Sequence, residues 1–178
     1  MTENDHPLSH PFRVDDIEDT GSDITLTATP EQCTGIAAFL KSPAVHGMKA
    51  QMHLVRSGSR VTVTGRLKAQ VRQICVVSLD EFDSPIDEPI EILFDKNAPD
   101  PSDPAALRDD APDPIIGGVI DLGQVAVEFL ALGLDPYPRK PGVVFEYRED
   151  DGAEESPFAK LVKLKSKPDE PAECDAAA

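Results

Sequence analysis

Two neighbouring stretches of the chain alternate between apolar and polar side chains, and this alternation constrains the fold more than any other feature. In residues 48–54 an apolar side chain occupies every second position. Residues 60–72 keep the same spacing with Val61, Val63, Leu67, Ala69 and Val71. Because successive side chains of a strand point to opposite faces, each stretch predicts a strand with one buried face. The Ser-Gly-Ser sequence at 57–59 predicts the turn that joins them into an antiparallel hairpin.

Two helices are predicted by the signals at their ends. Thr29 and Gln32 form a capping-box pattern around Pro30, which suits the first position of a helix. Asp121 is a typical N-cap for a second helix, with Gln124 three residues on, and Gly133 is a typical stop for that helix. Short strands are also predicted at 12–14 and 23–28, and a last strand is predicted at 142–147. Residues 73–77 are predicted to form a bulge or a strand buried on both faces. Residues 81–94 are predicted to form a turn followed by an edge strand.

These elements predict an α+β fold in which an antiparallel β-sheet is packed by two main helices. We expect a single domain over residues 11–148, interrupted at 95–114 by an acidic, proline-rich linker that is predicted to be disordered. Residues 1–10 are predicted to be disordered. Residues 149–178 are predicted to form a mobile acidic tail that contains a short amphipathic helix at 157–167.

The charges are distributed unevenly along the sequence. The net charge is -16, yet residues 32–79 contain seven Lys and Arg and no acid, whereas residues 80–121 contain thirteen acids and two Lys and Arg. The polar face of the second predicted strand would track a phosphate backbone, which makes it a candidate surface for RNA or a partner. The alternatives are a solvated sheet face, or a face that meets the acidic linker. The candidates on the hairpin are Lys49, Arg60, Arg66, Lys68 and Arg72.

A second set of candidates lies in the proline-rich stretch after the second helix. Three prolines in residues 136–141 fix the backbone around Tyr137, Arg139 and Lys140, so these side chains are displayed at little further entropy cost. The alternative is a stiff connection that returns the chain from the helix to the sheet.

Metal, cofactor and catalytic sites are not indicated. The three cysteines lack zinc-binding or disulfide spacing, and no phosphate loop or dinucleotide fingerprint occurs. Thiol-dependent or hydrolytic catalysis would rest on Cys75 with His53, but the apolar neighbours of Cys75 favour an inert buried thiol. We predict no cofactor, no small-molecule substrate and no membrane partner. With no apolar span and no leader peptide, the predicted location is cytoplasmic.

Three blocks, taken in order, give the chain a family resemblance. They lie at 61–79, 120–136 and 157–165. The chain resembles the bacterial and plastid large ribosomal RNA subunit accumulation (YceD-like) family. Many members of that family have a C-x-R-C-L motif where this chain has Val77 and Ser78 in place of the arginine and the second cysteine. The resemblance therefore implies no two-thiol metal or redox role here.

The resemblance implies a non-enzymatic factor in bacterial ribosome biogenesis, required for accumulation of large-subunit (23S) ribosomal RNA. Its expected partner is either that RNA or a basic large-subunit ribosomal protein. In the first case the basic strand face would dock on RNA. In the second case acidic segments, above all residues 80–113, would shield or deliver the protein.

Overall fold

The computed structural model describes residues 6–98 and 111–145. The strands β2, β3, β4, β5 and β6 form one sheet in that order, and β1 pairs with β7 in a second, two-stranded sheet. The pairing is antiparallel except between β5 and β6, so the predicted α+β class is confirmed. The elements are β1 Pro11–Arg13, β2 Ser22–Thr27, α1 Pro30–Phe39, β3 Ala44–Ser57, β4 Arg60–Ile74, β5 Glu81–Asp95, β6 Asp113–Pro114, β7 Val119–Asp121 and α2 Leu122–Leu132.

The predicted hairpin forms the centre of the sheet as β3 and β4. Its apolar side chains face the core and its polar side chains face solvent, as the alternation predicts. Gly58 lies in the connecting turn with φ +66°, a left-handed conformation that glycine adopts without strain. The register shifts between Val45 and Gly47. One face of the sheet is therefore buried and the other is open.

Both helices begin at the predicted caps and cover the buried face. The Thr29 side chain accepts a hydrogen bond from the backbone of Gln32, and the Gln32 side chain accepts one from the backbone of Thr29. Asp121 caps α2 by accepting from the backbone N–H groups of Gly123 and Gln124. Helix α1 packs on β3, while α2 packs on β4 and β5. No helix in the described ranges is long and apolar enough to cross a membrane.

The region after β4 differs from its prediction. Strand β4 keeps its alternation to Ile74, and residues 75–78 turn the chain, so neither a bulge nor a doubly buried strand forms at 73–77. The turn predicted within 81–94 is also wrong, because all 15 residues of β5 pair with β4. Pro85 and Pro89 fit in β5 because, among the described residues, only Phe94 and Asp95 have a strand partner on its other side, where they pair with β6.

Both ends of the described chain also need correction. The predicted disorder of residues 1–10 is wrong for 6–10, since Leu8 is buried in the core and Ser9 donates a 2.6 Å hydrogen bond to Asp121. Residues 142–145 form a turn and irregular structure, so the strand predicted at 142–147 is wrong in its described part. Residues 1–5, most of the acidic linker (99–110) and the tail with its helix at 157–167 lie outside the described residues.

Candidate partner-binding surface

The candidate cations of β4 all lie on the open face of the sheet. They occupy alternate positions opposite the buried row, and three of them are strongly exposed: the side chains of Arg60 and Arg66 are 62% exposed and that of Lys68 is 70% exposed. The prediction that these residues share one solvent-facing surface is confirmed. They do not converge on a pocket, because Arg60 and Arg72 are twelve residues apart on one strand, or roughly 40 Å at the rise of a strand.

A row of carboxylates on β5 lies beside these cations. Antiparallel register sets Asp95 opposite Arg60, Asp87 opposite Lys68 and Asp83 opposite Arg72. Residues directly opposite each other in a sheet share a face, so the acids and the cations lie side by side on that face, with Asp95 itself buried. We call these two rows the charge ladder: Arg60, Arg66, Lys68 and Arg72 on β4, with Glu81, Asp83, Asp87, Glu91 and Asp95 on β5.

Most members of the charge ladder form ion pairs. Arg60 Nε lies 3.0 Å from Asp95 Oδ2, and Arg72 Nε lies 2.8 Å from Asp83 Oδ1. Asp87 accepts a hydrogen bond from Arg66 and lies 3.7 Å from Lys68 Nζ. The acidic partner of the basic face is thus the neighbouring strand β5. The alternative drawn from the sequence was that this face meets the acidic linker.

Hydrogen bonds lower the pKa values of Asp83, Asp87 and Asp95 on β5. The hydrogen bond from Arg72 is the main cause of the lowered pKa of Asp83, and the one from Arg66 is the main cause for Asp87. For Asp95 the pKa is lowered first by the hydrogen bond from the backbone of Asn97, with smaller contributions from Ser59 and Arg60. These acids remain ionised at neutral pH and cancel much of the positive charge of β4.

Lys49 differs from the β4 cations. It lies on β3 directly opposite Lys68, so two like charges face each other across the central strand pair. No carboxylate from residues 6–98 or 111–145 lies within 4.0 Å of its amine. Of the predicted hairpin candidates, Lys49 therefore has the least compensated charge in the described structure.

The proline-rich loop sits against the turn between β4 and β5. The backbone N–H of Val76 donates to the carbonyl of Pro138 at 2.9 Å, and Gln73 Nε2 donates to the carbonyl of Asp135 at 3.4 Å. Lys140 Nζ lies 3.3 Å from Asp80 Oδ2, whereas Tyr137 is 71% exposed. Arg139 is exposed as well. The loop thus displays Tyr137 and Arg139 at the end of the sheet where Arg72 lies, and Lys140 is partly engaged in holding it there.

The alternative catalytic pair does not form. His53 lies opposite Thr64, so Cys75 is eleven residues further along the β4 direction, or roughly 35 Å away. His53 Nδ1 instead lies 2.7 Å from Asp23 Oδ1. Cys75 has no exposed surface, and its pKa is lowered to about 6, chiefly by the Ser78 side chain and then by backbone N–H groups. A catalytic role for Cys75 with His53 is therefore wrong.

Among the described residues, no three His, Cys, Asp or Glu side chains are grouped so that they could hold a metal ion. The acids of the charge ladder are the residues that sequence reasoning missed as partners. Their spacing was a usable signal, because Asp83, Asp87, Glu91 and Asp95 recur every four residues and so share one face of a strand.

Comparison with known proteins identifies the family. A family model described as "Large ribosomal RNA subunit accumulation protein YceD" matches residues 63–165, which is more than half of the 178 residues. No curated protein and no solved structure matches the chain. The family name refers to accumulation of large ribosomal subunit RNA, and the family is not a known enzyme family. The chain therefore belongs to the family of the large ribosomal RNA subunit accumulation protein YceD.

Proposed function

We propose that this protein supports accumulation of 23S ribosomal RNA as a non-catalytic binding factor, and that it acts on a basic protein of the large subunit. The charge ladder is the observation that supports this choice of partner. Its carboxylates occupy the same face as the cations that were candidates for RNA docking, so that face is no longer a basic surface.

The charge balance of the open sheet face argues against a phosphate backbone as the main ligand. RNA affinity comes largely from cations that replace counterions on phosphates, and a parallel row of carboxylates repels the same phosphates. The residues described by the structure carry 11 Lys and Arg against 17 Asp and Glu. The described residues as a whole therefore carry more negative than positive charge, which favours a basic protein over RNA as the ligand.

Direct contact with ribosomal RNA is the second candidate function, and the arrangement around Lys49 favours it. Lys49 and Lys68 face each other, and the exposed Tyr137 and Arg139 would supply a stacking ring and a guanidinium at one end of the sheet. The residues that would contact RNA under this candidate function are Lys49, Arg60, Arg66, Lys68, Arg72, Tyr137, Arg139 and Lys140.

A tagged pull-down with and without RNase separates the two candidates. The proposal expects basic large-subunit proteins to be recovered after RNase digestion, with recovery falling as salt is raised because surface charges are screened. Recovery that disappears completely on digestion would contradict a protein partner.

The same pull-down with a Lys49→Glu/Lys68→Glu variant tests direct RNA docking. The matched control is Lys41→Glu, an exposed lysine on the turn after α1. If the protein partner is correct, basic proteins are retained by both variants. Selective loss of ribosomal RNA and of basic proteins in the double variant alone would favour RNA as the primary ligand.

A further inference from the structure

A groove of 710 Å³ lies at the end of the domain opposite the proline-rich loop. It is bounded by the first turns of α2, the end of β5, β6 and the β1–β7 pair. Phe94, Ile120 and Val125 form an apolar floor and are each less than a tenth exposed. Ile116 stands at the groove with 78% of its surface exposed.

Carboxylates line the wall of this groove, and two of them have no cationic partner among the described residues. Asp113 and Glu128 are both exposed, and no Lys or Arg among the described residues lies within 4.0 Å of either. Partial burial raises the pKa of Asp113, and the negative charge of Glu128 raises it further. Two like charges therefore share one apolar groove, and a cation between them would relieve their repulsion.

The third carboxylate of the groove has a different role. Asp121 caps α2 and also accepts hydrogen bonds from Ser9 Oγ and the backbone of His10. These four donors hold its oxygens, so it fixes the N-terminal segment on the helix. Glu128 accepts one hydrogen bond, from Gln124 Nε2 at 2.8 Å, and its second oxygen, like the Asp113 carboxylate, faces no described donor.

We propose that this groove binds a segment of a protein partner in which a Lys or Arg is next to an aliphatic side chain. The aliphatic side chain packs on the apolar floor beside Ile116, and the cationic head lies between Asp113 and Glu128. The methylenes of a lysine or arginine cover apolar surface while the charged head stays polar, which matches a groove with this floor and this wall. The inference rests on the proposed function and deepens it, because it assigns a binding site to the basic protein partner.

Other occupants fit the groove less well. A phosphate or a nucleic acid strand would place negative charge beside two unpaired carboxylates. An uncharged apolar ligand would cover the floor but leave the repulsion between Asp113 and Glu128 unrelieved. A basic segment satisfies both the floor and the wall.

Peptide titration of the purified full chain tests the groove directly. The probe is a short peptide of alternating leucine and lysine, and its leucine–glutamate counterpart is the charge control. Backbone amide NMR shifts are expected to change with the lysine peptide at Ile116, Val119 and Val125, and to stay unchanged with the glutamate peptide. Shifts that map to another surface, or no binding, would overturn the inference.

Substitutions of Asp113 and Glu128 measure how much these two carboxylates contribute to peptide affinity. Asp113→Asn/Glu128→Gln is expected to weaken peptide binding three- to tenfold, because each exposed charge pair contributes a modest free energy. Glu31→Gln/Asp16→Asn, which removes two exposed carboxylates elsewhere, is expected to leave the affinity within twofold. Equal weakening by both pairs would show nonspecific attraction to an acidic protein and would contradict a groove site.

The outcome is separable from that of the proposed function. If the peptide does not bind but the pull-down still recovers basic ribosomal proteins after RNase, the groove is wrong and the function stands. If the peptide binds in the groove but no basic protein is recovered, the proposed partner is wrong and the groove remains a site for basic segments.

Discussion

The open sheet face and the groove beside α2 both contain several carboxylates, but their charges are balanced in different ways. On the sheet, the cross-strand register places Asp83, Asp87 and Asp95 next to arginines or a lysine of β4. In the groove, Asp113 and Glu128 have no such cation within the described ranges. A carboxylate paired inside its own sheet contributes to the fold, while an unpaired one beside exposed apolar surface is available to a partner.

The largest loss of stability is expected from a substitution that forces the two central strands, β3 and β4, apart. A Cβ at Gly65 would lie 2.1 Å from the carbonyl oxygen of Gln51, and backbone cannot move aside as a flexible side chain does. Gly65→Ala is therefore expected to lower the free energy of unfolding by about 3 kcal/mol, as overpacking in a core does. Urea denaturation followed by circular dichroism measures this change.

Gly47→Ala is the matched control for this substitution. Gly47 also lies in the central hairpin, but a Cβ there meets no atom within 4 Å. We expect its stability to change by less than about 1 kcal/mol, since alanine is at least as favourable as glycine in extended backbone. Similar losses in both variants would mean that the close backbone approach at Gly65 is not the cause of the loss.

In the groove, replacing the capping residue Asp121 and replacing Glu128 are expected to change the free energy of unfolding by different amounts. Asp121→Ala removes the N-cap of α2 and the bonds to Ser9 and His10, and is expected to cost about 1–2 kcal/mol. Glu128→Gln keeps the side-chain shape and an oxygen that can still accept the hydrogen bond from Gln124 Nε2, so it should leave the unfolding free energy nearly unchanged. A large loss in Glu128→Gln would show that this acid serves the fold and would weaken the groove as a partner site.

The smallest expected effect comes from the charge ladder itself, and it depends on pH. The folded-state pKa values of Asp83 and Asp87 are lowered, so their stabilisation is fully present above the unfolded pKa of about 4 and is lost as pH falls through the lowered folded values. Asp87→Asn should make the decrease in stability below pH about 4 less steep. Denaturation curves measured at acidic and neutral pH, for both proteins, provide the comparison.

The stability of the same variant at neutral pH is the control for this experiment. The pairs of Asp87 with Arg66 and Lys68 are exposed, so solvent and salt screen them and Asp87→Asn should be a mild change at pH 7. If the stability of Asp87→Asn falls with decreasing pH in the same way as that of the unaltered protein, protonation of Asp87 does not contribute to the loss of stability in acid.

Much of the fold was predictable because it depends on local pattern. The alternation in residues 48–72 sets which side of β3 and β4 is buried, and the caps at Thr29 and Asp121 fix where the helices begin. The turn at 75–78 and the full length of β5 were missed. Prolines at 85 and 89 argue against a strand locally, but pairing with β4 outweighs this where the edge of β5 has no described neighbour.

The candidate site was predictable only in part, for a related reason. Sequence alone placed Arg60, Arg66, Lys68 and Arg72 on one face, since a strand alternates by its own geometry. It did not identify their acidic neighbours, because the register between β4 and β5 joins residues far apart in the chain.

The sequence by itself determined the positions of charge and apolar side chains along each element, together with the family of the protein. The tertiary structure decided which charges meet. It paired the β4 cations with β5, set His53 far from Cys75, and placed Asp113 and Glu128 beside an apolar groove with no described cation near them. The physical reason is that side-chain direction follows from local backbone geometry, whereas pairing depends on strand register and helix packing, which form only when distant segments come together.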